Sequence, residues 1–305
     1  MIVQSLPYIL LLGTIFGTTL IASRFGISQF DPIAYIALRF LLASLGYIFI
    51  YSFSINGRKW PKDRQVWKHA SLLGIFGTVM PMTFLIYSLQ LQSSGLTAIL
   101  ITTAPAITLL MAHFFLDDEK LTRAKVAGVM LALIGAVLLS VLGESGLPDV
   151  SRANPVGYIL VITAMLFGSG MIIYARKYMS GLSSFDVGAV RNLSAGIAIL
   201  PVFLFITGVD FSRVELSGYL ALGWAAVAGT FVAMLLEFYI IKRFGATSAV
   251  MTAYVIPVVA GIGGVLLLDE TFTRGMLLGM ALIILGIAII NRGSTKREIP
   301  SIEPV

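Results

Sequence analysis

The sequence predicts an all-α integral membrane protein. Its ten transmembrane helices form two inverted five-helix repeats, and both termini lie in the cytoplasm. Three observations predict this. Of 305 residues, 58% are hydrophobic and 12% charged, with a mean hydropathy of +0.95. The apolar residues gather into ten runs of membrane-spanning length, and motifs of the first half recur in the second at an offset near 151.

Composition excludes other classes first. A soluble domain of this size leaves too much surface wet to hide so much apolar area. The absence of cysteine removes disulfides, thiolate metal sites and a cysteine nucleophile. The two histidines, His69 and His113, are too few for a multi-histidine metal site. A formal charge of +6 invites a nucleic-acid reading. Here, however, the lysines and arginines sit in short loops between apolar runs, as membrane topology requires, so no nucleic-acid partner is expected. No metal and no cofactor are expected either.

A helix needs about 20 apolar residues to cross the hydrocarbon core. Ten runs qualify: Pro7–Ser23, Pro32–Tyr51, Ala70–Leu89, Gly95–Leu116, Lys125–Leu142, Pro155–Ala175, Ser184–Thr207, Ser217–Ile241, Thr247–Leu268 and Gly275–Ile290. The runs are continuous rather than alternating, which rejects a β-barrel. No basic residue precedes the first run and a second follows almost at once, so the first reads as a span rather than a cleaved leader. Orientation follows from the positive-inside rule. Loops holding Arg58 to Lys68, Lys120 to Lys125, Arg176 and Lys177, Lys242 and Arg243, and Arg292 to Arg297 carry 15 of the 21 Lys and Arg. The opposite side holds only Arg24, Arg152, Arg213 and Arg274. The expected location is therefore a bacterial-type plasma membrane, with lipid as the main surrounding partner.

The repeat is read from an ordered set of matches. Glu119-Lys-Leu-Thr122 answers Glu270-Thr-Phe-Thr273. Gly128 and Gly135 answer Gly279 and Gly286. Gly77-Thr78 and Tyr87 answer Gly229-Thr230 and Tyr239, and Phe16-Gly17-Thr18 answers Phe167-Gly168-Ser169. Arg39 answers Arg191, and Pro105 answers Pro257 within two residues. Five spans per half is an odd number, so the second copy must sit upside down, as in carriers with inverted repeats. The predicted division is 1–143 for the first repeat, 144–293 for the second and 294–305 for a cytoplasmic tail.

These motifs, in this order from about Tyr8 to Asn291, resemble the drug/metabolite transporter superfamily and its EamA-type ten-helix exporters. In architecture they are similar to the aromatic amino-acid exporter subgroup. Where that family usually has Trp before the first glycine, this chain has Phe16, and Phe167 in the second half. The resemblance implies that the first, third and fourth spans of each half surround a central cavity. It also implies export of small metabolites, amino acids or their analogues foremost, with organic cations, drugs or nucleoside-like solutes as alternatives.

Prolines mark where that cavity would lie. Pro105 and Pro257 fall near the middle of spans 4 and 9, and Pro81 adds a kink in span 3. A proline frees backbone groups that lipid cannot satisfy, so neighbours, hydroxyls or water must do so. Thr102, Thr103, Thr252 and Tyr254 lie just before the prolines, and Thr78 and Thr230 lie in spans 3 and 8. The functional reading is a polar-walled chamber with Thr18 and Ser169 at its edge. The alternative is kinked packing helices whose hydroxyls satisfy themselves. Phe16, Phe167, Tyr87, Trp224 and Tyr254 could give an apolar wall with polar tips, or simply fill the core.

Charges inside a membrane are expensive, so each is a functional candidate. Arg39 and Arg191 sit seven residues into spans 2 and 7, and are read as binding a neighbouring helix's carbonyls, as gating, or as snorkelling. Glu237 is read as a coupling proton site, a ligand for a substrate amino group, or the partner of a basic neighbour. The small-residue stripes of spans 5 and 10 (Gly128, Ala132, Ala136; Gly275, Gly279) either join the halves or form a homodimer surface. No phosphate-binding loop or metal motif appears, so neither an ATP-driven pump nor an enzyme is expected. The remaining alternatives to a carrier are a membrane-embedded enzyme and a structural or assembly subunit.

Overall fold

The structure is a computed structural model describing residues 2–116, 121–150, 153–179, 181–207, 211–212, 214–244 and 251–292. The Glu119 copy of the repeated acidic motif, Arg152, Arg213, the predicted start of span 9 at Thr247 and the 294–305 tail lie outside those residues.

Every element among the described residues is helical. Eight helices are long and apolar enough to cross a membrane: Gln4–Gly26, Pro32–Ser52, Arg64–Leu91, Ser94–Phe115, Arg123–Leu142, Pro155–Tyr178, Ser184–Phe205 and Leu216–Glu237. Two shorter apolar helices follow, Thr252–Leu268 and Arg274–Ile290. They are numbered here as spans 1 to 10, in chain order.

Local chemistry sets the boundaries. Asp31 caps span 2 by accepting from the amides of Ile33 and Ala34 at 2.8 and 3.2 Å, with Pro32 at the first position where its missing N–H costs nothing. Thr122 and Ser183 cap spans 5 and 7 in the same way. Gly143, at φ +70°, stops span 5 in the left-handed conformation that glycine adopts without strain. Span 3 begins earlier than hydropathy suggests, at Arg64, because Asp63 caps a polar first turn.

Four spans are irregular among the described residues, span 7 by a π-helical turn at its end, Phe203–Thr207. Spans 3 and 8 each widen into a π-helical turn, at Ile75–Val79 and Val227–Val232. Span 4 is two helices, Ser94–Ile101 and Ala104–Phe115, separated at Thr102–Thr103 just before Pro105. Span 9 differs from the expected symmetry: Pro257 lies inside one continuous helix, Thr252–Leu268.

Spans 5 and 10 pair closely through their glycines. A Cβ built on Gly128 would lie 2.5 Å from the Gly286 carbonyl oxygen, and one on Gly135 would lie 2.9 Å from that of Gly279. These contacts join the two halves backbone to backbone within one chain, as small residues allow. Spans 2 and 7 also pair, and spans 1, 3, 4, 6, 8 and 9 pack between the two pairs. Gly13 and Gly17 bring span 1 against span 9, whose Thr252 and Ile256 carbonyls would meet an added Cβ at 3.2 and 3.1 Å. Their repeat partner Gly168, on span 6, has nothing within 4 Å.

Candidate functional site

The buried polar centre of the bundle is built on the two repeat-related arginines. Arg39 on span 2 is 4% exposed. Its Nε donates to Thr230 Oγ1 at 2.8 Å, in the π-turn of span 8, and its second nitrogen donates to Ser23 Oγ on span 1 at 3.2 Å. Arg191 on span 7 mirrors it. Its Nε donates to Thr78 Oγ1 in the π-turn of span 3, and a terminal nitrogen donates to the Gly77 carbonyl at 3.1 Å. Arg39 and Arg191 are 152 residues apart, as are Thr78 and Thr230. Each half therefore reaches across with an arginine and holds the other half's third span.

The sequence explains why the arginines go there. In a π-turn one extra residue disturbs the hydrogen-bond ladder. Each threonine hydroxyl donates back to the carbonyl five residues earlier, Thr78 to Leu73 at 3.2 Å and Thr230 to Ala225 at 2.9 Å. The hydroxyl oxygen then accepts from the guanidinium. Pro81, four residues beyond Gly77, has no N–H for the Gly77 carbonyl, and Arg191 supplies a donor there. Position 233 is Ala in the second copy, and Arg39 bonds Ser23 instead. Arg191 bonds a carbonyl of a neighbouring span, as one sequence reading has it, whereas Arg39 donates to hydroxyls and the Met82 sulfur.

The two arginines have unlike surroundings. At the same offset the repeat counterparts of Tyr47, Asn192 and Glu237 are Ile199, Phe40 and Leu85. Arg191 therefore lies within electrostatic reach of both Glu237 and Tyr47. The Tyr47 hydroxyl and the Asn192 amide oxygen are buried and have no hydrogen-bond partner among the described residues. Tyr47 stacks edge-on against Phe231 and Phe185, with centroids 4.9 and 5.5 Å apart.

The hydroxyls expected to wall a wet chamber are placed differently. Thr102 and Thr103 are fully buried and donate to the carbonyls of Ile99 and Leu100 at 2.5 and 2.7 Å. The helix break there consumes them, so they are corrected from cavity residues to self-satisfied ones. Thr18 donates to Thr14 and Ile15 of its own helix and accepts from Trp224 Nε1 at 3.1 Å. Ser169, its repeat partner, accepts from Thr108 on span 4 at 2.8 Å. Thr252 and Pro81 are buried, and Phe16 packs against the cluster around Leu12 and Ile15. Tyr87 packs on the side of spans 2 and 7, and Tyr254 on the side of spans 4, 5, 6 and 10.

Two open apolar recesses mark the surface of this region. One of about 350 Å³ is lined by Phe76, Phe167, Gly170 and Met171, beside the π-turn of span 3. The other, about 400 Å³, has Pro257, Gly261, Phe272 and Met280 in its wall. Phe167 and Pro257, both predicted site residues, border these recesses, and Trp224 is 47% exposed. Pro105 follows the break in span 4.

Sequence reasoning missed several participants. Ser23, Tyr47 and Asn192 carried no motif. Glu270 stood out only as a repeat marker. The structure makes it a buried cap that accepts from Ser94 N and Oγ at 2.8 Å each and from Gly95 N at 3.3 Å, at the start of span 4. A carboxylate there complements the helix dipole. The signal that could have revealed the π-turns is the repeated Gly-Thr pair before a proline or alanine.

Comparison with known proteins places this geometry. The model of the EamA-like transporter family matches the chain twice, over residues 4–141 and 155–292. The chain is 26% identical to the uncharacterized inner membrane transporter YedA of Escherichia coli strain K12, over 92% of this chain and 88% of that protein. It is 28% identical to an uncharacterized transporter of Archaeoglobus fulgidus, over 92% of this chain and 95% of that one. One solved protein structure shares the fold with a TM-score of 0.64 at 20% identity, over 94% of this chain and 96% of the other.

Proposed function

The chain belongs to the EamA-like transporter family, and we propose that it carries a small amphipathic metabolite, an amino acid or close relative, outward by alternating access between two inverted halves. As a transporter it is a multi-pass protein of the plasma membrane. The observation that carries the mechanistic reading is the reciprocal pair of arginine clasps. Two interlocks of like construction, each joining one half to the other, tie the packing of the two inverted halves together, as a carrier that changes packing between them requires.

Contacts between span ends support the inverted arrangement. Tyr51 at the end of span 2 donates to Asp186 at the start of span 7, its repeat partner, at 2.5 Å. At the opposite end, Gln29 before span 2 bonds Ser217 and the Glu215 amide, which follow span 7, at 3.2 and 2.9 Å. His69 at the start of span 3 bonds Tyr174 near the end of span 6 at 2.6 Å. Partners that meet end to start run in opposite directions. With the basic loops on the inner side, both termini are cytoplasmic. The solute path would run between spans 1 and 8 and spans 4 and 6, where the Trp224–Thr18 and Thr108–Ser169 bonds lie. Phe167 and Pro257 would give it apolar walls.

Reconstitution tests this reading. Purified full-length protein in liposomes should show saturable counterflow of a labelled amino acid from a panel that also includes organic amines and nucleosides. Pro105→Leu, which heals the break in span 4, should abolish it. Tight liposomes with no flux across the panel would refute the carrier.

A further inference from the structure

We propose that Glu237 and the Gly77–Thr78 turn compete for Arg191, and that a proton on Glu237 decides the contest. The second clasp is then a proton-operated latch, while the Arg39 clasp is a permanent hinge. The proposal rests on the transporter reading and names how that transporter is coupled.

The competition is geometric. Arg191 spends Nε and a terminal nitrogen, one edge of its fork, on Thr78 and Gly77. That edge is one of the two that a carboxylate takes in a bidentate pair, and its terminal nitrogen is shared with the other. Glu237 lies about one turn along span 8 from Met234, whose sulfur accepts from the Asn192 amide at 3.3 Å, so span 8 meets span 7 beside Arg191 and brings this carboxylate within electrostatic reach of the guanidinium. An ionised carboxylate inside a bundle is costly unless paired, whereas a neutral carboxyl makes no such demand. Ionised Glu237 therefore draws Arg191 off the π-turn, and protonated Glu237 leaves it clasped, the arrangement observed. The proton comes from and returns to bulk water, and no covalent step is involved.

The surroundings suit a moving guanidinium. The Tyr47 hydroxyl and the Asn192 amide oxygen, both buried and unpartnered among the described residues, are acceptors available on the way. Buried polar groups left unspent in a native interior call for a reason, and a second position for Arg191 supplies one. The other ionisable groups on packed elements are engaged elsewhere. Asp186 on span 7 accepts from Tyr51. Tyr8 on span 1 stacks on Tyr239 and Phe244. Arg39 on span 2 is held by Thr230 and Ser23. On the helix of Glu237 itself, Arg243 lies near its exposed end and the side chain of Lys242 is outside the described residues. The first clasp offers no counterpart: Leu85 stands where Glu237 would be.

The chain contains no cysteine, so Lys68→Cys with Ser184→Cys places spin labels only at the exposed starts of spans 3 and 7. Pulsed dipolar distances would be read in the full-length protein, in acidic and in mildly alkaline buffer. The dominant distance should lengthen on raising pH. Glu237→Gln should hold the acidic distribution at every pH, and Thr78→Val should give the alkaline one at every pH. A wild-type distribution that ignores pH, a full shift surviving in Glu237→Gln, or a Thr78→Val protein that still responds to pH would each overturn the latch. Counterflow with pH-insensitive distances rejects the latch and keeps the carrier. A pH-driven distance change in a protein that moves no solute keeps the latch and rejects the carrier.

Discussion

The two arginine clasps share residue types, spacing and a π-turn, yet their neighbourhoods diverge. The Arg39 clasp is closed by hydroxyls: Thr230 and Ser23 accept from it and Tyr35 donates to Ser23 at 3.4 Å, while at the repeat offset Leu85, Ile199 and Phe40 stand for the Glu237, Tyr47 and Asn192 of its twin. The Arg191 clasp borders Glu237, two unspent buried polar atoms and an open recess. The same device occurs twice, and the side chains around it differ between the copies. The flanking helices repeat the lesson. Span 1 lies tight on span 9 at Gly17, while span 6 leaves open space at Gly168.

Matched substitutions in the two copies would break or sharpen this contrast. Thr230→Val removes one of the two hydroxyl acceptors of the buried Arg39 charge and should cost about 3 kcal/mol, read as a lower thermal midpoint in detergent. Thr78→Val should cost only about 1 kcal/mol, because Glu237 can take Arg191 instead. Equal losses would dissolve the distinction. Gly17→Ala should cost about 2 kcal/mol, since its Cβ would meet Val259 and the Ile256 carbonyl at 2.7 and 3.1 Å. Glu270→Gln should cost about 1 kcal/mol by weakening the cap on span 4. Gly168→Ala, in open space on a helix, should be neutral or stabilise by up to about 1 kcal/mol. A marked loss there would mean that span 6 packs as tightly as span 1.

Much of the fold was legible because lipid imposes simple rules. Run length located the spans, and the Gly-Thr, Arg and Glu repeats gave the order of the halves. Arg39 and Arg191 were legible as a pair because a charge deep in a span must be answered by something. What answered them was not, since a π-turn changes register without changing hydropathy. Thr102 and Thr103 misled for a related reason. A hydroxyl beside a proline reads the same whether it faces water or its own helix, and only burial separates the cases. Pro257 resembled Pro105 in sequence, but span 9 stays whole and span 4 breaks. The difference lies in the two threonines at 102–103, which offer the carbonyls an exit from the ladder.

Each π-turn amounts to a single inserted residue accommodated without re-aiming the helix on either side. Removing one residue from 75–79, outside Gly77 and Thr78, should therefore straighten span 3 into ordinary helix while Phe84 and Tyr87 keep their facing. A deletion that would scramble a span without such a turn is, at this place, a tolerated edit, and it offers a way to remove the bulge while leaving both halves folded.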